Sequence, residues 1–291
     1  MTVIDGKLTA STVKQEIGRQ VETLVGRGKR CPHLAAIIVG HDAASETYVR
    51  NKIAACEECG FRSTHIALED SITQAELIAT IEKLNADAEI DGIIVQLPLP
   101  GHIEEGAVIN AIDYRKDVDG FHPVNVGRLL IGLPCMIPAT PLGILTLLRH
   151  YRIETTGKKC VVVGRSNIVG KPVAQLMMLP QYGNCTVTIC HRQTKDIEQE
   201  LRQADIIITA MGQPGFIKAE MVKEGAVVFD VGITRVEDAT RKNGYRLMGD
   251  VDYEEVAPKC EYITPVPGGV GPMTVCSLMQ NTLRAYEQLN G

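Results

Sequence analysis

Tyr48 and Lys52 stand four residues apart in a stretch of helical period, so both project from one face. A ring and an amine side by side could stack a flat ligand and move a proton. Spacing alone favours a solvated lysine beside a surface tyrosine. A second feature is the apolar run ending at Val95, which closes on an amide, Gln96, and then Leu97-Pro98-Leu99-Pro100. The prolines stop the run continuing as a strand. An amide at that place is either a strand cap or a ligand contact. Next comes Lys116-Asp117-Val118-Asp119-Gly120. Two acids around a Val-Gly turn can make an Asx turn, or can present a carboxylate to a ligand with paired N–H donors.

Two further segments suit a larger ligand. Gly164-Arg165-Ser166-Asn167-Ile168-Val169-Gly170-Lys171-Pro172 follows an apolar run and opens a helical one. A glycine-bearing turn of this kind brings backbone N–H groups and a helix start to a phosphate. Ser166 stands where the usual dinucleotide pattern has its second glycine. An NAD site would carry an acid at the end of the following strand, to bind ribose hydroxyls. This chain has Cys190-His191-Arg192 instead. Two arginines, Arg165 and Arg192, and no acid favour a 2′-phosphate and hence NADP. Arg192 as a plain solvated loop residue is the alternative. Finally, Thr264-Pro265-Val266-Pro267-Gly268-Gly269-Val270-Gly271-Pro272-Met273-Thr274 fixes an irregular backbone that a ligand can approach closely, though a connector could also have such a sequence.

These groups need elements to hold them. Strands are expected at 34–39, 64–68, 90–97, 160–163, 186–190, 205–209 and 226–231. Helices are expected at 8–25, 45–59, 74–84, 139–151, 169–178, 194–202 and 273–289. The alternation implies βαβ units and mostly parallel sheets, in one series before about residue 140 and another from Cys160. The fold class is therefore α/β. Ligands in such sheets lie beyond the carboxyl ends of the strands, which is where the groups above fall.

The 291 residues are 45% hydrophobic and 22% charged, the composition of a globular chain of one large domain or two ordinary ones. Aromatics make up only 4%, with no tryptophan, so the core is aliphatic. Net charge is −5, and Lys and Arg are dispersed. That disfavours a nucleic-acid partner, which would demand a basic face. No apolar run approaches the ~20 residues of a membrane helix, and the start shows no secretory pattern. The nine cysteines read as reduced thiols of a cytoplasmic chain. Cys56 and Cys59 have CxxC spacing, but no second ligand pair accompanies them. Two small residues on a helix is the favoured reading, and no metal site is expected.

Taken together, Tyr48-Val49-Arg50-Asn51-Lys52, Asp91-Gly92-Ile93-Ile94-Val95-Gln96-Leu97-Pro98-Leu99-Pro100, Lys116–Gly120, Gly164–Pro172 and Pro265–Thr274 resemble the bifunctional methylenetetrahydrofolate dehydrogenase/methenyltetrahydrofolate cyclohydrolase family. They occur in the family's order along nearly the whole chain. Ala139 departs from it, since the family usually has Cys there. The resemblance implies oxidation of 5,10-methylenetetrahydrofolate with NADP, then hydrolysis of the 5,10-methenyl product to 10-formyltetrahydrofolate, within one-carbon metabolism and purine biosynthesis. It implies two domains with a cleft between them: residues 1–145 plus 272–291 for folate and catalysis, and a Rossmann-like NADP domain at 146–271. A homodimer is the family expectation.

Residue roles follow from the same resemblance. Lys52 would transfer protons in the hydration step. Gln96 would hold the Lys52 amine and favour its neutral form. Tyr48 would stack on the folate rings, and Asp119 would accept two N–H bonds from the pterin. Val95, Leu97, Pro267, Gly268, Gly269, Val270 and Gly271 would line the folate site. Gly164, Arg165, Ser166, His191, Arg192 and Ile233 would contact NADP. Two alternatives carry different functions. A shikimate-type NADP dehydrogenase shares the domain order but lacks the Asp-Val-Asp-Gly turn and the Pro-Gly-Gly-Val-Gly-Pro string. A catalytically silent NADP- or folate-binding protein would be expected to lose Lys52 or Gln96.

Overall fold

The apolar runs around residues 34–39 and 160–163 each become an inner strand of a parallel sheet. The structure is a computed structural model, and it describes residues 1–41, 43–241 and 244–291. Asp42, between Gly40 and the Tyr48 helix, lies outside the described residues.

In chain order the first elements are β1 (Thr2–Val3), α1 (Gly6–Gly26), β2 (His33–Val39), α2 (Ala43–Glu58), β3 (Arg62–Leu68), α3 (Gln74–Ala86) and β4 (Gly92–Val95). Helices α4 (Glu105–Ala111), α5 (Pro123–Leu130) and α6 (Ala139–His150) follow. Then come β5 (Lys159–Val163), α7 (Gly170–Met178), β6 (Thr186–Cys190), α8 (Ile197–Gln203), β7 (Ile206–Thr209) and β8 (Ala226–Asp230). The chain ends with β9 (Thr234–Glu237), β10 (Tyr245–Met248), α9 (Tyr253–Val256), β11 (Cys260–Ile263) and α10 (Gly271–Asn290).

Contacts divide the chain into two units: Ser11–Ala139 with Val275–Gly291, and Met1–Ala10 with Thr140–Thr274. The first holds a parallel sheet in the order β3-β2-β4. Every residue of β2 is buried, because helices cover both faces. Leu34, Ala36 and Ile38 pack with Ile17, Val49, Cys56, Cys59, Leu278 and Met279. Ala35, Ile37 and Val39 pack on the other face with Leu77, Ile81 and Val108. Burial pushes the Cys56 thiol up to about 12 and the Cys59 thiol up to about 11, so both are neutral packing groups. A capping box starts α3, with Thr73 and Glu76 each bonding the other's backbone N–H.

The second unit holds a parallel sheet in the order β1-β11-β8-β7-β5-β6. From β5 the chain passes to β6 on one side and later to β7 on the other. The switch point therefore lies between β5 and β7, where the two carboxyl ends open a crevice. Residues 1–10 do not group with the first unit, as the sequence reading had them. Strand β1 instead pairs with β11, Thr2 opposite Tyr262 and Val3 opposite Ile263. Two exposed residues carry no periodicity from which that strand could be read. For the same reason the sequence reading omits β9, β10 and β11, which are short and mix charged with apolar residues.

Candidate active site

Helix α2 carries Tyr48 and Lys52 past the carboxyl end of β2, and β4 delivers Gln96 just past its own end. Lys52 Nζ donates to Gln96 Oε1 at 3.1 Å. The amide is fixed from its other end, since Gln96 Nε2 donates to the Leu97 carbonyl at 2.7 Å and its backbone N–H bonds Ile37 O. That bond places the oxygen toward Lys52. An amide oxygen accepts at least as well from an ammonium as from an amine, so this bond orients the nitrogen. The expectation that Gln96 selects the neutral form does not follow from it. Tyr48 is 58% exposed, leaving its ring face open.

The turn at 116–120 separates its two acids. Asp117 makes the turn: its carboxylate accepts N–H bonds from Gly120, His122 and Asn125 Nδ2. Asp119 is presented: among the described residues its carboxylate has no hydrogen-bond partner, and it faces the charge of Lys52. Burial pushes the Asp119 carboxyl up, and the Lys52 charge draws it back. Both acids reach one small recess, where Asp117 and Asp119 meet Val95, Leu97, Val108, Ile112 and Phe121.

Buried polar groups brace this turn from below. Lys116 Nζ donates to the carbonyls of Leu84, Asn85 and Asp87, which satisfies the open end of α3. Asn281 Nδ2 on α10 bonds the carbonyls of Val118 and Ile137, both at 2.8 Å. Gly120 has φ +73°, and a Cβ there would fall 2.7 Å from Pro138 N. Only glycine fits that position.

In the second unit, Gly164, Arg165, His191, Arg192, Gln193, Ala210 and Met211 line a cavity of about 300 Å³ at the β5–β7 switch point. Gly164 has φ +123°, and a Cβ there would fall 2.5 Å from Ala210 O. A Cβ on Gly170 would fall 2.2 Å from Gly164 O. These two glycines bring the turn and the start of α7 together as a phosphate cradle requires. Ser166 Oγ accepts N–H bonds from Val169 and Gly170, so this serine holds the helix start in place of a glycine. The lining contains two guanidinium side chains and no carboxylate. The residues present thus fit a dinucleotide carrying an extra phosphate. Ile233 is not among that lining and is exposed, with its Cδ1 3.4 Å from where a Gly271 Cβ would be.

Pro267, Gly268, Gly269, Val270 and Gly271 fall in the second unit. Gly268 has φ +114°, its carbonyl accepts from Gly6 N, and a Cβ on Gly6 would fall 1.7 Å from Gly269 O. The constrained sequence is explained locally by this close backbone approach.

Sequence reasoning missed Asp230 and Asp250, two buried acids behind the cavity. The available signal was an acid closing the apolar β8 run, followed by Val231-Gly232, and mirrored by Gly249-Asp250-Val251. Burial, more than the neighbouring Asp250 charge, pushes the Asp230 carboxyl up to about 7, against three N–H bonds that pull it down.

Residues 4–119 match the tetrahydrofolate dehydrogenase/cyclohydrolase catalytic domain, and residues 138–290 match that family's NAD(P)-binding domain. A bifunctional protein FolD of Phocaeicola vulgatus is 64% identical over 286 residues, 98% of each chain. The crystal structure of the bifunctional FolD methylenetetrahydrofolate dehydrogenase/cyclohydrolase of Campylobacter jejuni superposes with a TM-score of 0.93 at 47% identity, covering 99% of both chains. The Trypanosoma brucei enzyme, solved with NADP cofactor and an inhibitor, gives 0.92 at 41% identity, covering 99% of this chain and 98% of that one.

Proposed function

The chain belongs to the tetrahydrofolate dehydrogenase/cyclohydrolase family, and from that premise we propose how its residues share the two reactions. The enzyme oxidises 5,10-methylenetetrahydrofolate to the 5,10-methenyl cation, then hydrates and opens that cation to 10-formyltetrahydrofolate. NADP supplies the hydride acceptor. No strong base is needed for the oxidation, because the ring-nitrogen lone pair expels the hydride. The protein's task there is geometry.

Hydration needs protons moved. Water attacking the methenyl carbon must lose a proton, and the departing ring nitrogen must gain one. Lys52 is proposed for both transfers. A cationic substrate beside it disfavours a second positive charge and leaves the amine able to accept the water's proton. Gln96 aims that nitrogen. Asp119 pairs with N–H donors of the pterin, Tyr48 stacks on its rings, and Val95 and Leu97 supply the apolar floor. The 267–271 backbone is proposed as a further substrate contact, and Ile233 as a cofactor contact. Arg165 and Arg192 are proposed to hold the 2′-phosphate, with Gly164, Ser166 and His191 forming the rest of the cofactor cradle.

The observation that carries this reading is the Lys52–Gln96 bond beside the unpartnered Asp119 carboxylate. A silent binder would have no reason to keep a proton carrier so oriented. The shikimate-type alternative is disfavoured by family matches that take in both halves of the chain. Protein mixed with methylenetetrahydrofolate and NADP+ tests the function, with NADPH and methenyl-folate absorbance rising and the latter then decaying faster than in buffer. Absence of both changes while both ligands bind would leave the silent binder.

A cytoplasmic homodimer is the proposed state. Among the described residues no helix is long and apolar enough to cross a membrane. Strand β6 is a sheet edge with Ile189 exposed, and Met178 on the adjoining α7 is exposed too. An edge of this kind invites a second copy.

A further inference from the structure

Asp250 is fully buried, and Asp230 beside it is 4% exposed. Among the described residues neither carboxylate meets a cation. Six donors hold them instead. Asp250 Oδ2 accepts from Thr209 Oγ1 at 2.9 Å and Met211 N at 2.6 Å, and Oδ1 accepts from Gln213 N at 2.7 Å. Asp230 Oδ1 accepts from Gly232 N at 2.9 Å and Asp250 N at 3.0 Å, and Oδ2 from Val251 N at 2.9 Å. The pair is jammed in place. A Cβ on Gly249 would fall 1.9 Å from Asp230 Oδ2, and one on Gly232 would fall 2.4 Å from Asp250 Oδ1.

Burying two carboxyl groups without a counter-ion is costly, and binding up a loop does not by itself demand carboxylates. What sets this pair apart is which backbone it grips. All three donors to Asp250 come from the end of β7 and the loop after it, and Ala210 and Met211 of that loop line the cavity opposite Gly164. Asp230 in turn fixes the backbone of Asp250 itself.

We propose that Asp250, braced by Asp230, is a positioning residue for the cofactor: its carboxylate fixes the 210–213 loop as one wall of the NADP cavity. A charged acceptor makes shorter, stronger bonds than a neutral one. It therefore holds the loop backbone closer to a single geometry before the cofactor arrives, which lowers the ordering cost of binding. This rests on the reading of that cavity as the NADP site, so binding of NADP+ to the unaltered enzyme is measured first.

The test is Asp250→Asn, which keeps the shape but turns one acceptor oxygen into a donor facing other donors. NADP+ affinity by titration calorimetry is expected to weaken about tenfold or more, the factor that ~1.4 kcal/mol of lost loop order would give. The KM for NADP+ should rise with it. Hydrolysis of methenyltetrahydrofolate, assayed without cofactor, should stay within about twofold. Equal NADP+ affinity in variant and parent would overturn the proposal, as would parallel loss of both activities, which is what a merely structural residue gives. Should Asp250→Asn not fold, Thr209→Val removes one donor to the same oxygen. It should weaken NADP+ binding about two- to fivefold with hydrolysis retained, and unchanged affinity there would overturn the proposal equally. If the unaltered enzyme itself fails to bind NADP+, the cofactor reading falls and not the positioning role alone.

Discussion

Lys52 Nζ lies 3.1 Å from Gln96 Oε1, and the same amide is pinned through its nitrogen to the Leu97 carbonyl. The lysine is thus aimed by a side chain that cannot rotate without breaking two bonds. Replacing Gln96 with Leu keeps most of the volume and removes the aim. The expected outcome is a loss of about 10²-fold in the rate of methenyltetrahydrofolate hydrolysis, the usual scale for a misplaced reacting group. Steady-state rates for both half-reactions check it. Hydrolysis unchanged in the variant would mean the amide does not position the lysine.

The two acids of the 116–120 turn should separate under mutation. Asp117 accepts three N–H bonds in a buried place, so Asp117→Asn should cost about 1–3 kcal/mol of stability. Asp119 has no such partners; burial pushes its carboxyl up and only the Lys52 charge draws it back. Asp119→Asn should therefore leave the denaturation midpoint nearly unchanged while raising the folate KM about tenfold or more. Urea melts and folate saturation curves on the two variants decide the matter. Matching stability losses would show that Asp119 also belongs to the turn.

Arg192 sits in a cavity lining with a second arginine and no carboxylate. Arg192→Ala should raise the KM for NADP+ about 10- to 100-fold, the scale of a lost charge-assisted bond. The KM for NAD+ should move little. A parallel change in both would reject the 2′-phosphate role.

Asp230 also makes a statement about pH. Its carboxyl is raised to about 7 in the folded chain from an ordinary value of 3.8. Between those values the folded chain holds a proton that the unfolded chain has released. Stability from this group is thus fully present below the ordinary value, falls as pH rises to about 7, and is flat above. The difference in melting temperature between parent and Asp230→Asn should accordingly shift in the variant's favour from pH 5 to 7 and then level. A constant difference across that range would place the proton elsewhere.

The sheets were legible because parallel strands covered on both faces are aliphatic along their buried length, as residues 34–39 of β2 and 161–163 of β5 are. Strand β1 was not, since its place is fixed by pairing with β11 and by the approach of Gly6 to Gly269, both long-range. In the site, Lys52 and Gln96 could be singled out by residue type and place, and Asp119 only through the family resemblance. Which acid of the turn is free could not, because Asp117 and Asp119 flank the same valine and differ only in what reaches them: the backbone of 120–122 and Asn125 for one, Lys52 for the other. Asp230 and Asp250 were overlooked for a related reason. They bond the backbone of loops distant in sequence, and backbone donors leave no mark in residue type.

The most direct test of the central claim is Lys52→Met, with hydrolysis of methenyltetrahydrofolate and NADP-dependent oxidation of methylenetetrahydrofolate assayed separately on one preparation. Hydrolysis should fall at least about 10²-fold, the usual worth of a positioned proton carrier, while oxidation keeps a much larger share of its rate. Hydrolysis retained at the parent's rate would remove Lys52 from the proton transfers and contradict the assignment.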